Sequence, residues 1–315
     1  MTTFRKIALA TVGVLAAALA ALAWTFSASD LVPDATDYGP LPAAHPPAGM
    51  SLSALPTGRI ESKAGFAFRG GSMSEERDFA MTAVLVRHPR GDLMFDTGMS
   101  AHLDEHLSSV PWLMRKLSVR HLDKPAAAVL KDNGYDPKQL AGIVPTHAHW
   151  DHVGGIADLP GIPVWLNAVE QHFIAEGGFP TELARRVQPF PVRSYAFDDK
   201  PYLGFPRSLD LWGDGSIVLV PAPGHTPGSI LAFVTLPSGA RYVLLGDLVW
   251  QTDGITRPAE RPWLSRSMVD EDADAVRRAI THVAALHRRF PDLVLLPAHD
   301  ARAMGKLPVF PEQAR

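Results

Sequence analysis

Cysteine is absent from the 315-residue chain, and neither sign of charge is in clear excess. The missing thiols exclude disulfide bonds, thiolate metal ligands and a cysteine nucleophile. With 30 basic and 33 acidic residues, the formal net charge is -3. Because no basic field is available to hold phosphate backbones, we expect a small-molecule substrate and no nucleic acid as partner.

Apolar residues make up 46% of the chain and charged residues 20%. These fractions are ordinary for a globular protein, so neither a disordered chain nor a multi-span membrane protein is expected. The length permits one large domain or two small ones. No internal repeat is visible.

The N-terminal residues 1–29 have the pattern of an export segment. Arg5 and Lys6 precede an apolar run over residues 7–26, which as a helix would span ~30 Å. Residues 21–23, Ala-Leu-Ala, suit a signal peptidase, but an uncleaved membrane anchor fits equally. Either way, the basic residues on the N-terminal side predict a body in the periplasm, or anchored facing the periplasm or the outside.

Residues 30–50 are predicted to be an extended tether, because they are rich in proline and poor in apolar residues. The remaining residues 51–315 are predicted to form one α/β domain with a mixed sheet. Its predicted strands are residues 81–87, 92–95, 143–144, 162–166, 217–220, 230–234, 242–245 and 293–296. Its predicted helices are residues 123–134, 167–175 and 270–290.

Four potential metal ligands lie within six residues, directly after the predicted strand 143–144. They are His147, His149, Asp151 and His152. Imidazole and carboxylate together suit zinc, iron, manganese or cobalt, and a loop at a strand end can fold around an ion without straining a helix. This spacing predicts a metal site.

Three further ligand types follow later strands: His225 in a Pro-Gly-His-Thr-Pro-Gly segment, Asp247 after Leu-Gly, and His299 after Pro-Ala. Each alone is an ordinary surface residue. Their order after the first motif makes the chain similar to the metallo-β-lactamase superfamily, from about Leu52 to Pro308. The resemblance implies a four-layer αββα sandwich.

The resemblance also implies roles for individual residues. His147, His149 and His225 would hold one metal, Asp151, His152 and His299 the other, and Asp247 would bridge them. The sequence Asp96-Thr97-Gly98 would support the site from a neighbouring loop. Two divalent ions, with zinc first among the candidates, would share a water and lower its pKa from ~15.7 toward ~7. Such a bridging hydroxide could attack an ester-like bond while Asp151 moves the proton.

Within the superfamily, an Asp bridge distinguishes the chain from true β-lactamases and makes it most similar to N-acyl-homoserine lactonases. Those lactonases carry a tyrosine three residues after the bridging Asp, where this chain has Trp250, a candidate substrate-binding residue. A lactone is therefore the first expected substrate. The alternative substrates are β-lactams, phosphodiesters and thioesters of the kind that glyoxalase II cleaves. The alternative classes of protein are a mononuclear iron persulfide dioxygenase and a non-enzymatic exported metal-binding protein.

Overall fold

The structure, a computed structural model, describes residues 3–33, 35, 38–110 and 112–315. Parts of the predicted export segment and tether, namely residues 1, 2, 34, 36 and 37, lie outside the described residues. The described strands are β1 (Ser51–Ile60), β2 (Phe79–Arg87), β3 (Asp92–Phe95), β4 (Arg120–Leu122), β5 (Leu140–Val144), β6 (Val164–Asn167), β7 (Val192–Tyr195), β8 (Leu209–Asp210), β9 (Ile217–Pro221), β10 (Ile230–Thr235), β11 (Arg241–Gly246) and β12 (Val294–Pro297).

The described α-helices alternate with these strands. They are α1 (Thr3–Phe26), α2 (Ala64–Ala67), α3 (Leu103–His106), α4 (Trp112–Leu117), α5 (Ala126–Asp132), α6 (Trp150–Val153), α7 (Ala168–Glu176), α8 (Glu182–Arg186), α9 (Asp253–Thr256), α10 (Trp263–Val269), α11 (Ala273–Arg289) and α12 (Ala301–Met304). Short 3-10 turns cover Leu107–Ser109, Pro137–Gln139, Gly154–Asp158 and Phe179–Thr181.

Two sheets form the centre of the domain. The first has the strand order β4-β1-β2-β3-β5-β6-β7, and the second has the order β12-β11-β10-β9-β8. In the first sheet β1 and β2 are antiparallel and β3 and β5 are parallel. In the second sheet β10 and β11 are antiparallel and β11 and β12 are parallel. Both sheets are therefore mixed, as the sequence predicted.

The hydrophobic core consists of three stacked interfaces. Leu52 and Phe95 of the first sheet pack against Leu219 and Leu244 of the second. The outer face of the second sheet packs on α11, and the outer face of the first packs on α5, α7 and α8. This arrangement is the predicted four-layer αββα sandwich, and it brings strand ends of both sheets to one edge.

Most predicted elements are present within a few residues of their predicted bounds, but β1, β4, β7, β8 and several short helices, α10 among them, were not predicted. Pro56 and Gly58 interrupt the apolar pattern of β1, and a shift in its register with β2 between these two residues accommodates them. The predicted helix 123–134 begins later than expected, at Ala126, with Pro125 in the N-cap position.

The N-terminal helix α1 stands out from the body. Its segment Arg5–Phe26 has 22 residues and is long and apolar enough to cross a membrane. The described residues of the following segment contact the second sheet and its connections: His45 donates its backbone N–H to Asp214 (2.7 Å), and Arg241 donates to the carbonyl of Pro42 (2.9 Å).

Candidate metal centre

The seven predicted ligands lie at the ends of strands from both sheets. His147 and His149 follow β5, and Asp151 and His152 lie in the short helix α6. The other three residues follow strands of the second sheet: His225 after β9, Asp247 after β11 and His299 after β12. Chain segments far apart in sequence thus meet at one edge of the sandwich.

The structure brings all seven side chains together. Their potential ligand atoms form three overlapping groups, within each of which all atoms lie within 4.8 Å of one another. These groups are His147/His149/His225, His147/His152/Asp247 and Asp151/His152/His299.

Asp247 occupies the centre of the cluster. Its Oδ1 lies 3.3 Å from Nε2 of His152 and 3.1 Å from Nε2 of His299. Its Oδ2 lies 3.4 Å from Nε2 of His225, which is itself 3.1 Å from Nε2 of His147. One carboxylate therefore faces imidazoles of both predicted triads.

Three buried polar atoms in the cluster make no hydrogen bond of good geometry among the described residues: Nε2 of His149, Nε2 of His152 and Oδ1 of Asp247. The last two atoms lie 3.3 Å apart and are in contact without a hydrogen bond between them. An unpaired buried polar atom costs about 1–3 kcal/mol, so such a group calls for a partner. All three atoms are lone-pair donors of the kind that divalent ions bind. The residues present thus fit a metal centre.

The protonation states of the imidazoles support the same fit for one triad. Burial holds the pKa values of His147 and His149 well below the usual range, and their histidine neighbours lower them further. Both side chains are therefore neutral and can donate a lone pair. Burial alone would also lower the pKa values of His152 and His299, but Asp96 and Asp247 raise the first and Asp247 the second.

Asp96 and Ala80 orient the imidazoles of the second triad. Oδ2 of Asp96 lies 3.0 Å from Nδ1 of His152, and the carbonyl of Ala80 lies 2.9 Å from Nδ1 of His299. Asp96 has a φ of 54° and accepts the backbone N–H of Thr146 at 2.6 Å. Thr97 donates its hydroxyl to the carbonyl of His152 at 2.8 Å. These contacts agree with the supporting role that the resemblance implies for this loop.

A buried ion pair orients His225 in the first triad. Oδ1 of Asp270 lies 2.8 Å from Nδ1 of His225, and Arg261 contacts the same carboxylate. Arg261 also donates to the backbone carbonyl of Asp247 at 2.7 Å. Neither Arg261 nor Asp270 was predicted as a site residue. No local spacing marks them, because they flank the helix α10 that the sequence pattern did not predict.

Glu170 connects the two loops that carry the first triad. Its carboxylate accepts the N–H of Ala148 (2.6 Å), the hydroxyl of Thr226 (2.8 Å) and the N–H of Gly228 (3.0 Å). Burial raises its pKa to about 7, although these hydrogen bonds lower it. Asn167 caps α7 by accepting the N–H of Glu170 (3.0 Å), while the Glu170 side chain reaches the two loops.

Residues 78–307, most of the chain, match the profile of the metallo-beta-lactamase superfamily. The chain belongs to this superfamily. The family and the two-sheet fold therefore agree, and the ligand cluster lies within the matched residues.

Relatives within the superfamily include hydrolases of several kinds. A probable metallo-hydrolase of Mycobacterium tuberculosis is 31% identical over 204 residues, which cover 58% of this chain and 64% of that protein. The chain thus spans somewhat less than two thirds of the length of this relative. The N-acyl homoserine lactonase AttM of Agrobacterium fabrum is 26% identical over 243 residues, covering 72% of this chain and 84% of AttM.

A solved structure has a similar fold. An N-acyl homoserine lactone hydrolase, crystallised with N-hexanoyl-L-homoserine at its catalytic metal centre, has a TM-score of 0.64 and 16% identity. The similarity covers 84% of this chain and 98% of that one. At this identity the likeness concerns the fold alone.

Trp250, the candidate substrate-binding residue, lies beside the central carboxylate of the cluster. Its indole N–H donates to Oδ2 of Asp247 at 2.8 Å. Its ring lies 5.2 Å from that of Phe79, and the guanidinium of Arg261 lies 5.0 Å from the ring centroid. Because its polar atom is engaged by Asp247, only the apolar ring remains for contact with another molecule.

Proposed function

We propose that this protein is a hydrolase with two divalent metal ions, most suitably zinc, that opens a lactone. His147, His149 and His225 would hold one ion, and Asp151, His152 and His299 the other. Asp247 would bridge them. The observation that carries the proposal is the Asp247 carboxylate, which lies within 3.4 Å of imidazole nitrogens from both triads.

Two bound ions would supply Lewis acidity and a nucleophilic hydroxide at neutral pH. The protein side chains have separate tasks. Asp247 balances positive charge at the centre, and its position is held by the indole N–H of Trp250. Asp151 lies 3.4 Å from Nε2 of His299 through one oxygen, and its side chain is more exposed, at 12%, than that of Asp247, at 5%. We assign it the transfer of a proton to or from the substrate.

A lactone with an apolar substituent suits the residues near Asp247. The rings of Trp250 and Phe79 form an apolar wall there, and Trp250 cannot act as the acid that a phenol could. Support for the lactone also comes from the AttM relative and from the lactone hydrolase with the similar fold.

Metal analysis of the purified full-length chain tests the dinuclear centre. We expect two transition-metal ions per chain, because two triads and a bridge are available. One bound iron per chain, with oxygen consumption on a persulfide, would contradict the proposal and favour the dioxygenase alternative.

A substrate panel tests the reaction. On the same metal-loaded protein, we would compare an acyl-homoserine lactone, a simple γ-lactone, a glutathione thioester, a β-lactam and a phosphodiester. We expect the highest kcat/KM on a lactone. Turnover confined to the thioester or the phosphodiester would exclude a lactonase while leaving the metal centre in place.

We further propose that the body is exported and held by α1. The apolar length of Arg5–Phe26 supports this placement, as do the basic residues that precede the run. A reporter enzyme fused after Met50 should be active outside the cytoplasm. A reporter that stays in the cytosolic fraction with an intact N-terminus would contradict export.

A further inference from the structure

The helix α10 has its polarity reversed. Its large apolar side chains Trp263, Leu264 and Met268 are exposed by 55%, 38% and 43%. Two of its three polar side chains point inward: Ser265 donates to the carbonyl of Phe66 at 3.0 Å, and Arg266 contacts the buried Glu260. A helix on a water-exposed surface has the opposite pattern, as α11 does with its buried Val276, Ile280 and Val283. The outer face of α10 therefore suits an apolar environment.

The last turn of α1 is docked beside α10. The ring of Phe26 packs edge-on against that of Phe66, with 5.7 Å between the ring centroids. The backbone carbonyl of Phe66 in turn accepts the hydrogen bond from Ser265 of α10. Arg69 donates to the carbonyls of Ser27 (3.0 Å) and Trp24 (3.1 Å) and lies 3.5 Å from Glu260. Because Arg69 and Glu260 are both buried, the end of α1 is joined firmly to the body.

The rest of α1 is apolar and exposed, as Ile7, Leu15 and Leu22 show with 61%, 58% and 49%. Its 22 residues from Arg5 to Phe26 would span ~33 Å, close to the ~30 Å hydrocarbon thickness of a bilayer. If Arg5 lies at one surface of the bilayer, Phe26 and the neighbouring helix α10 lie at the opposite surface.

Positive charge lies beside the same junction. Arg257 and Arg288 line a groove of about 600 Å³ together with Asp30 and residues that follow α1. The guanidinium of Arg257 lies 5.9 Å from the ring centroid of Phe68. Arginines at this level suit the phosphates of lipid head groups.

We propose that α10 is a second membrane contact, lying on the bilayer surface with Trp263, Leu264 and Met268 among the lipid head groups. The exposed face continues from a helix suited to cross the bilayer, and tryptophan favours the membrane interface. Since α10 connects Arg261 to Asp270, which both contact the metal cluster, the metal centre is held close to the membrane. The proposal rests on the proposed anchoring by α1 and is independent of the reaction catalysed.

The absence of cysteine makes a direct test practical, because a single introduced cysteine is the sole labelling site. We would reconstitute full-length Leu264→Cys with a nitroxide label into phospholipid vesicles. Collision rates with oxygen, which partitions into lipid, and with a water-soluble nickel complex report depth. Leu15→Cys is the control within α1, and Val192→Cys, 46% exposed on the edge strand β7, is the aqueous control.

We expect the ratio of the oxygen collision rate to the nickel collision rate to be at least several-fold higher for the label at position 264 than for the label at position 192. It should lie shallower than the label at position 15. Met268→Cys repeats the measurement if the first variant misfolds, with circular dichroism as the check. A Leu264 label as water-accessible as the Val192 label, with Leu15 in lipid, would overturn the α10 contact alone. A water-accessible Leu15 label would overturn the anchor and the contact together, whereas loss of hydrolysis leaves the readout unaffected.

Discussion

The triads His147/His149/His225 and Asp151/His152/His299 share Asp247 but differ in what holds their imidazoles. A buried charged network positions the first, through Asp270 on His225 and Glu170 on the two loops. Strand ends position the second, through Asp96 after β3 and the carbonyl of Ala80 in β2. The comparison indicates that the first triad depends on carboxylates in or next to helices, Glu170 in α7 and Asp270 after α10, whereas the second depends on groups at strand ends of the first sheet.

Removing the shared carboxylate should have the largest effect on metal content and activity, because both triads use it. Asp247→Asn keeps the shape but removes the negative charge that faces three imidazoles. We expect loss of at least one metal ion and a fall in activity of about 100-fold or more, beyond the 10–100-fold typical of outer contacts. Metal content and kcat/KM measure the outcome. Full occupancy with unchanged turnover would contradict the bridging assignment.

Metal binding at the two triads can be weakened separately with matched variants. Asp270→Asn removes the charge beside His225, and Asp96→Asn removes the charge beside His152; asparagine also tolerates the positive φ of residue 96. Each should lower metal affinity by about 10–100-fold, at its own triad.

Anomalous scattering from crystals soaked at limiting metal would give the occupancy of each triad. The control is Asp292→Ala, at an exposed position after α11. It should leave the metal occupancy of both triads unchanged. Loss of the same ion in both Asn variants would show that the two halves are not held independently.

Glu170 should affect folding more than the metal ions, because it binds loops and not ligand atoms. Glu170→Gln replaces an acceptor of three hydrogen bonds with an amide whose NH₂ cannot accept them. We expect a loss of about 1–3 kcal/mol in the free energy of unfolding. Urea unfolding measures it, with the exposed Glu176→Gln of the same helix as the control. Equal stability of the two variants would rule out a bracing role.

The smallest effect is expected at Trp250. Trp250→Phe removes the N–H that Asp247 accepts but keeps a ring, so metal retention should fall by about tenfold, the equivalent of one hydrogen bond to a charged group. Trp250→Tyr should preserve or raise lactone turnover, because a phenol can assist at the carbonyl. Trp263→Phe, on exposed α10, is the control. A collapse of turnover in Trp250→Tyr would show that the indole has a task a phenol cannot perform.

The fold was predictable where a regular pattern of apolar residues lies between turn residues. The strands β2, β3 and β9 to β11 were predicted from β-rich runs between turn residues. Two of the missed elements lack that signal. The strand β1 contains Pro56 and Gly58 and is stabilised by pairing with β2, and α10 exposes its large apolar residues Trp263, Leu264 and Met268.

The sequence alone determined the metal-binding chemistry of the site. Four candidate ligands within six residues, then single ligands after three later strands, define residue types and an order that local spacing makes visible. Only the tertiary structure decided which other carboxylates serve the site. Asp270 is 45 residues from His225 and Glu170 is 56 from Thr226, and in the sequence they are two among 33 acidic residues. The physical reason is that burial and charge pairing arise between distant segments, so a carboxylate's partner exists only once the two sheets have packed.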